Sequence, residues 1–348
     1  MGGGQPHSVR RALPGAFLCP GAPRRQKRRS PKGGCFVRDL IEFRAAIADA
    51  VFAFARREGF VEVDTPEITP GTGACENVPT VFRLDFLGRL QFLRQTAQLD
   101  LEVAVIRWGI PRLITRGRSF RAEPRADGRH LCEFLLIEAE ARDWELKDLV
   151  AHEQRLVRWV IETALEHPAL PEGRRSRLEH DLRTFHVISY AEAIRMLDKP
   201  WGEDLSAADE ARLTERLGIV SVVRYPREIK FFNMLDTRGD GAATVECCDL
   251  LLPFAGETFG SSAREYDVTI LRQKLLTSSM YRQLLDAGGA PDVFEPYIRL
   301  LERNPVRRAG YGLGFDRLIQ YLWGAADVRS VIPFPVDARY GLSYAAVS

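Results

Sequence analysis

Ser119-Phe-Arg-Ala-Glu-Pro-Arg-Ala-Asp-Gly-Arg-His-Leu-Cys-Glu-Phe134 decides how this chain is read. Both ends of the stretch are strand-like, and the loop between them carries Arg121, Glu123, Arg125, Arg129 and His130. Several cations converging on one loop suit a polyphosphate, because each guanidinium presents a planar fork to phosphate oxygens. For any single arginine, a solvated, salt-bridged hairpin is the structural alternative. Outward from the loop, the pattern predicts strands over 113–122 and 133–143. Helices are expected over 98–108 and over 148–167, the second stopped by Pro168.

Further out, Asp39 and Glu42 read as a capping box opening a helix with Leu40, Phe43, Ile47, Val51 and Phe54 on one face, closed by Gly59. Strand-like runs follow at 60–64, 80–84 and 90–93, and the charged stretch 171–180 reads as a surface connection. Ser189 and Glu192 open another helix by the same capping logic. Three strands are expected over 221–225, 231–235 and 243–252, then a helix over 315–323. Strands in hairpin-like succession with helices between them indicate an α+β antiparallel sheet flanked by helices rather than a doubly wound one.

Of 348 residues, 45% are hydrophobic and 28% charged, which excludes wholesale disorder and collagen-like chains. No run of about 18 apolar residues exists to cross a membrane as a helix. Six cysteines without a C-x-x-C pair signal neither a zinc site nor a dithiol motif, and point to a reduced, cytoplasmic protein. The adjacent Cys247 and Cys248 read as small buried strand residues. The net charge of +2 hides an asymmetry: residues 1–38 hold nine of the 49 Lys and Arg and no acid, leaving 40 basic against 47 acidic residues. Residues 1–38 therefore read as a disordered basic tail, and 39–348 as one catalytic domain. The tail is a dispensable extension on one reading and an RNA-binding arm on the other.

Phe120-Arg-Ala-Glu123 followed by Arg129-His-Leu-x-Glu-Phe134 resembles motif 2 of the class II aminoacyl-tRNA synthetases, in the subgroup serving aspartate, asparagine and lysine. Four further segments match in order. Gly59-Phe-Val-Glu-Val-Asp-Thr-Pro66 is similar to motif 1, which makes the family's dimer interface. Asp249 and Glu257, with Gly260 and Arg264 beyond, resemble the metal and substrate segment. Gly310-Tyr-Gly-Leu-Gly-Phe-Asp-Arg-Leu318 is similar to motif 3, and Asp327-Val-Arg-Ser-Val-Ile-Pro-Phe-Pro335 fits the family's tail.

The resemblance implies an ATP-dependent, AMP-forming ligase that acts as a homodimer. Arg121 would bridge the amino-acid carboxylate and the α-phosphate. Phe134 and Arg317 would sandwich adenine, and Arg129 and His130 would hold the outer phosphates. Glu123, Leu131, Gly314 and Asp316 complete the implied ATP site, with Mg²⁺ on Asp249 and Glu257. Gln98 would read the substrate's α-amino group, with Glu76 as the acid of a flexible loop over it. Gly260 and Arg264 would meet the rest of the amino acid.

Leu101 stands where aspartyl enzymes of the family carry a lysine, as it does in asparaginyl ones. Arg307-Arg308 and Ala263 depart from close relatives. An Arg308 facing solvent implies an asparagine-like substrate, and one facing the pocket an acidic substrate. Thirty-eight Gly-, Pro- and Arg-rich residues cannot supply the five-stranded anticodon-reading barrel of this subgroup. The expected activity is therefore amino-acid activation by a stand-alone core, with transfer to ammonia or another small acceptor. A truncated tRNA ligase is the alternative, and a non-catalytic regulator that binds amino acid or nucleotide the second.

Overall fold

The computed structural model describes residues 34–71, 78–125, 127–239, 243–338 and 341–342. Helix α1 (Gly34–Arg57) leads to the edge strand β1 (Val61–Glu62). A small sheet of β2 (Ile68–Thr69), β3 (Arg83–Phe86) and β4 (Arg89–Leu93) precedes α2 (Gln98–Trp108). The hairpin β5 (Arg112–Phe120) and β6 (Glu133–Arg142) carries the arginine-rich loop, and α3 (Leu146–Glu166) and α4 (Arg175–Asp181) follow. Next come β7 (Phe185–Ser189), α5 (Tyr190–Leu197), α6 (Ala207–Leu217) and β8 (Ile219–Val223). After β9 (Cys247–Leu252) and β10 (Gly256–Ala263) stand α7 (Val268–Thr277), α8 (Ser279–Asp286) and α9 (Glu295–Arg303). The last described elements are β11 (Arg308–Gly314), α10 (Phe315–Trp323), β12 (Val336–Asp337) and β13 (Gly341–Leu342).

The main sheet runs β1-β5-β6-β11-β10-β9-β8-β7, with β12 pairing β6 and β13. Every junction from β5 to β8 is antiparallel, and only the outer pairs β1–β5 and β7–β8 are parallel. The α+β antiparallel expectation therefore holds, with one parallel unit, β7-α5-α6-β8, appended at the far edge. One face of the sheet is covered by α1, α3 and α10, where Phe43, Ile47, Val51, Leu156, Val160, Leu318 and Ile319 are buried together. Trp159 of α3 donates its indole N–H to the Ala50 carbonyl of α1 at 3.0 Å, tying the two helices while keeping the ring in the core. A second cluster, including Phe232, Leu271, Leu284, Tyr297 and Leu301, is contributed largely by α7–α9.

Three expectations need correction. Helix α1 begins at Gly34, so Asp39 and Glu42 lie inside it, and Glu42 pairs instead with Arg38 one turn earlier. The capping pattern does not start the helix, because acids inside an amphipathic run can imitate one. Residues 231–235 do not form a strand. Only Met234 makes a lone bridge, to Arg264, while Lys230 and Asn233 reach buried acids on either side of it. The connection at 171–180 contains most of α4, anchored by the fully buried Leu178 and Asp181.

Helix ends follow local chemistry. The α3 box pairs Glu145 with Asp148, and the α5 box pairs Ser189 with Glu192. Gly59 takes φ +84°, which lets its amide and that of Phe60 bond back to Arg56 and Ala55 and end α1. Gly310 is required for another reason. It lies opposite Glu140 across the β6–β11 pair, and a Cβ there would sit 1.9 Å from Glu140 Oε2.

Glu153 of α3 is fully buried. The Cys248 thiol approaches its Oε2 at 3.8 Å, and no described group donates to Oε1. Burial pushes its carboxyl up to about 8 from 4.5. A carboxyl that holds its proton more tightly when folded weakens the fold as pH rises from about 4.5 through about 8, by about 1.4 kcal/mol for each unit of separation. Glu153→Gln should therefore raise the melting temperature at pH 8.5 and change it little at pH 4.5. Thermal melts at both values check this, and equal effects would contradict it.

Candidate active site

A cavity of about 230 Å³ opens on the sheet face opposite α1 and α3. Its walls bring together Gln98, Arg121, Glu123, Arg129, His130, Leu131 and Phe134 with Asp249, Glu257, Gly260, Arg264, Gly314, Asp316 and Arg317. Residues as far apart in the chain as Gln98 and Arg317 meet because β6, β11 and β10 lie side by side. Glu76 lies outside the described residues.

The hairpin β5–β6 aims its cations inward. Arg121 lies 5.2 Å above the Phe134 ring, and among the described residues no group accepts its buried Nε–H. A buried donor without an acceptor is costly, so this guanidinium is set for an incoming anion. Arg129 pairs with Glu210 of α6, whose Oε2 also accepts the Glu257 amide at 3.3 Å. His130 is bonded through Nδ1 to Asp127 at 2.8 Å. That contact and the two backbone amides on Asp127 outweigh its slight burial and hold the Asp127 carboxyl low. Arg317 donates to the Glu257 carbonyl. Burial lowers its affinity for its proton, opposed by Glu257 and assisted by the neighbouring Arg129 and Arg121. Asp316 works as a clamp: Oδ1 accepts from Arg44 of α1 at 2.7 Å and Oδ2 from the Leu135 amide at 2.9 Å.

Asp249 and Glu257 stand on the paired strands β9 and β10. Burial and then the negative charge of Asp249 push Glu257 up to about 7. Two neighbouring carboxylates suit a hard cation, which takes few protein oxygens and completes its shell with phosphate and water. Lys230 lies between them and the aromatic ring of Tyr225, 2.7 Å from Asp249 Oδ2 and 3.9 Å from the ring centroid. Among the described residues no third His, Cys, Asp or Glu joins them as a metal group.

Sequence reasoning missed the deeper floor of the cavity. Glu138 and Glu140 of β6 are 4% and 1% exposed and face the same side. Glu138 accepts from Thr96 Oγ1 and from the Ala97 amide at 2.8 Å, and burial raises its carboxyl. Glu140 receives Arg264 through Nη2 at 3.0 Å and Nε at 3.3 Å. Burial raises it to about 7 although Arg264 opposes the rise. Alternate acids in Ile137-Glu-Ala-Glu-Ala141, set between small and apolar residues inside the expected strand 133–143, were the available signal. Leu101 lines the floor. Arg307 is exposed, 3.8 Å from Glu145. Arg308 takes neither orientation foreseen for it. It faces neither solvent nor the cavity, but is fully buried on Glu102 behind the wall.

The family model for tRNA synthetases class II (D, K and N) matches residues 34–338. The chain belongs to this family. The asparaginyl-tRNA synthetase of Mus musculus is 31% identical over 329 residues, covering 85% of this chain and 66% of that protein. The asparagine-tRNA ligase of Desulforamulus reducens is 33% identical over 307 residues, covering 85% and 68%. Among solved structures, the asparaginyl-tRNA synthetase from Pyrococcus horikoshii complexed with asparaginyl-adenylate superposes with a TM-score of 0.74 at 30% identity, over 86% of this chain and 68% of that one. A putative aspartyl-tRNA synthetase from Leishmania major shares the fold at 17% identity, with a TM-score of 0.67. The chain thus spans about two thirds of the length of these relatives.

At the start of β10, Gly256 lies against the Arg129–Glu210 pair. Its φ is +70°, and an added Cβ would stand 2.2 Å from Glu210 Oε2 and 2.4 Å from Arg129 Nη2. Gly256→Ala should cost about 1–3 kcal/mol and part the Arg129–Glu210 pair. Chemical denaturation measures it, and a loss below about 0.5 kcal/mol would show that the turn relaxes freely.

Proposed function

We propose that this chain activates asparagine with ATP, forming an enzyme-bound asparaginyl-adenylate and pyrophosphate, and transfers the asparaginyl group to tRNA. The observation that carries the reading is the cavity itself. A buried Arg121 donor awaiting an anion stands between a cationic rim, Arg129 and Arg317, and an acid-lined floor, Glu138 and Glu140. The asparaginyl relatives support the amino acid, and as tRNA ligases they favour tRNA over the small-molecule acceptor expected from the sequence. No observation singles out ammonia or another small amine as acceptor.

The reaction joins an amino-acid carboxylate oxygen to the α-phosphorus and releases pyrophosphate, so the protein's work is positioning and charge neutralisation. Arg121 bridges the two reacting anions. The Phe134 ring and the Arg317 guanidinium accept adenine between a π face and a cation. Arg129, released from Glu210, and His130 hold the outer phosphates. Gln98 and Arg264 receive the amino acid, beside Gly260, whose missing side chain leaves Glu257 room: a Cβ there would lie 2.9 Å from Glu257 Oε1. Asp249 and Glu257 would hold Mg²⁺, which neutralises phosphate charge when bound. A homodimer fits the exposed apolar residues Val37 and Ile41 on α1 and Val61 on the sheet-edge strand β1. A cytoplasmic setting belongs to the same proposal.

ATP–pyrophosphate exchange over a panel of amino acids, repeated with ammonia and with total tRNA, tests the reading. Asparagine-dependent exchange and asparaginylated tRNA are expected. Exchange driven by aspartate with ammonia consumption would replace the acceptor with a small amine. Arg121→Ala should reduce exchange by more than about 10²–10³-fold with the melting temperature little changed; near-normal exchange would overturn the site assignment. Sedimentation at micromolar concentration should show a dimer, and a monomer alone would remove that part.

A further inference from the structure

Arg308 is the largest fully buried side chain among the described residues. Its Nε lies 2.9 Å from Glu102 Oε2, its Nη2 donates to the same oxygen and to the Tyr297 hydroxyl, and its Nη1 donates to the Val306 carbonyl at 3.0 Å. Glu102, on α2, has no exposed surface either. Its Oε2 also accepts from Tyr297 at 2.7 Å. Its Oε1 accepts from Gln98 Nε2 at 2.8 Å and Asn233 Nδ2 at 3.0 Å, and stands 3.7 Å from Arg264 Nε.

Glu102 is therefore a junction. One oxygen faces Arg308 and Tyr297. The other reaches Gln98 and Arg264, both of which line the cavity, whereas Glu102 and Arg308 do not. Four charges are linked in this buried group: Glu102 and Glu140 against Arg264 and Arg308. With Arg308 removed, two carboxylates would share one guanidinium, and Arg264, now closer to Glu140 than to Glu102, would be drawn toward the acid left unpaired. Glu102 would also lose the contact that fixes its side of the Gln98 amide.

We propose that Arg308 is a positioning residue for amino-acid selection: from behind the cavity wall it holds Glu102, and through Glu102 it sets the Gln98 amide and keeps Arg264 on Glu140. With Glu140 ionised on Arg264 the group so held is charge-balanced, and a neutral amide side chain enters it without an unpaired charge, whereas a carboxylate does not. This rests on the proposed reading of the cavity as an amino-acid-activating site.

The test is ATP–pyrophosphate exchange by the full chain carrying Arg308→Met, Arg308→Lys, or Arg308→Met with Glu102→Gln. Arg308→Met should raise the KM for asparagine about tenfold or more, with the KM for ATP within about twofold. Removing both charges restores the balance, so the double variant should regain most of the asparagine affinity lost by Arg308→Met. Lysine keeps the charge but not the planar fork, so Arg308→Lys should fall between the parent and Arg308→Met. Equal losses for asparagine and ATP, or a double variant no better than Arg308→Met, would overturn the proposal and leave Arg308 a purely structural ion. Should Arg308→Met fail to fold, the double variant decides: parent-like asparagine affinity supports the proposal, and failure to fold as well overturns it. A parent protein silent with every amino acid would reject the proposed function, whereas an asparagine-active parent with unchanged variants rejects the positioning role alone.

Discussion

Two glutamates in the middle of a ten-stranded sheet set the terms for everything around them. Glu138 and Glu140 point from β6 into a space nearly closed to water, where an unpaired carboxylate costs several kcal/mol. Each has been supplied with partners by a different element. The start of α2 brings Thr96 and the Ala97 amide to Glu138, and the end of β10 brings Arg264 to Glu140. Gly310 of the neighbouring strand gives up its side chain so that Glu140 can lie flat across it. Behind the wall, Glu102 adds a third buried acid and Arg308 a second guanidinium, so the floor of the cavity rests on a charged lattice rather than on an apolar core.

The upper half of the cavity obeys the opposite electrostatics. Arg121, Arg129 and Arg317 crowd together, and Arg317 holds its proton less firmly because of burial and the other two. The acids that restrain them, Glu210 and the raised Glu257, come from α6 and β10 rather than from the hairpin. Three arginines above and buried glutamates below divide the cavity into a half that can accept an anion and a half lined by acids. That division suits the proposed reaction, with the phosphates of ATP at one end and the amino acid at the other.

Much of this was legible in the chain. Helices over 98–108 and 315–323 were placed at their observed bounds, because apolar spacing and the glycines after Trp108 and Trp323 speak locally. The β5–β6 hairpin was readable from its two apolar runs, and the arginines of its loop from their density. The β7–β8 parallel unit was not, because a parallel pair is joined through helices and leaves no turn signature. Residues 231–235 looked like a strand for want of any local cue that Lys230 and Asn233 would be spent on buried acids. Helix α1 overran its apparent cap because nothing in 34–38 forbids the helical conformation.

The order of the motifs, the hairpin with its cations, the paired acids Asp249 and Glu257 and the absence of a cation at Leu101 were determined by sequence alone. They depend on residue type and short-range spacing, which a linear chain displays in full. Only the tertiary structure decided where Arg308 goes. Its position is the outcome of a competition among three carboxylates and two guanidiniums drawn from α2, β6, the end of β10 and β11, separated by up to 206 residues. Burial makes each pairing strong and each mispairing costly, so the choice is made by the whole assembled site and by no stretch of sequence within it.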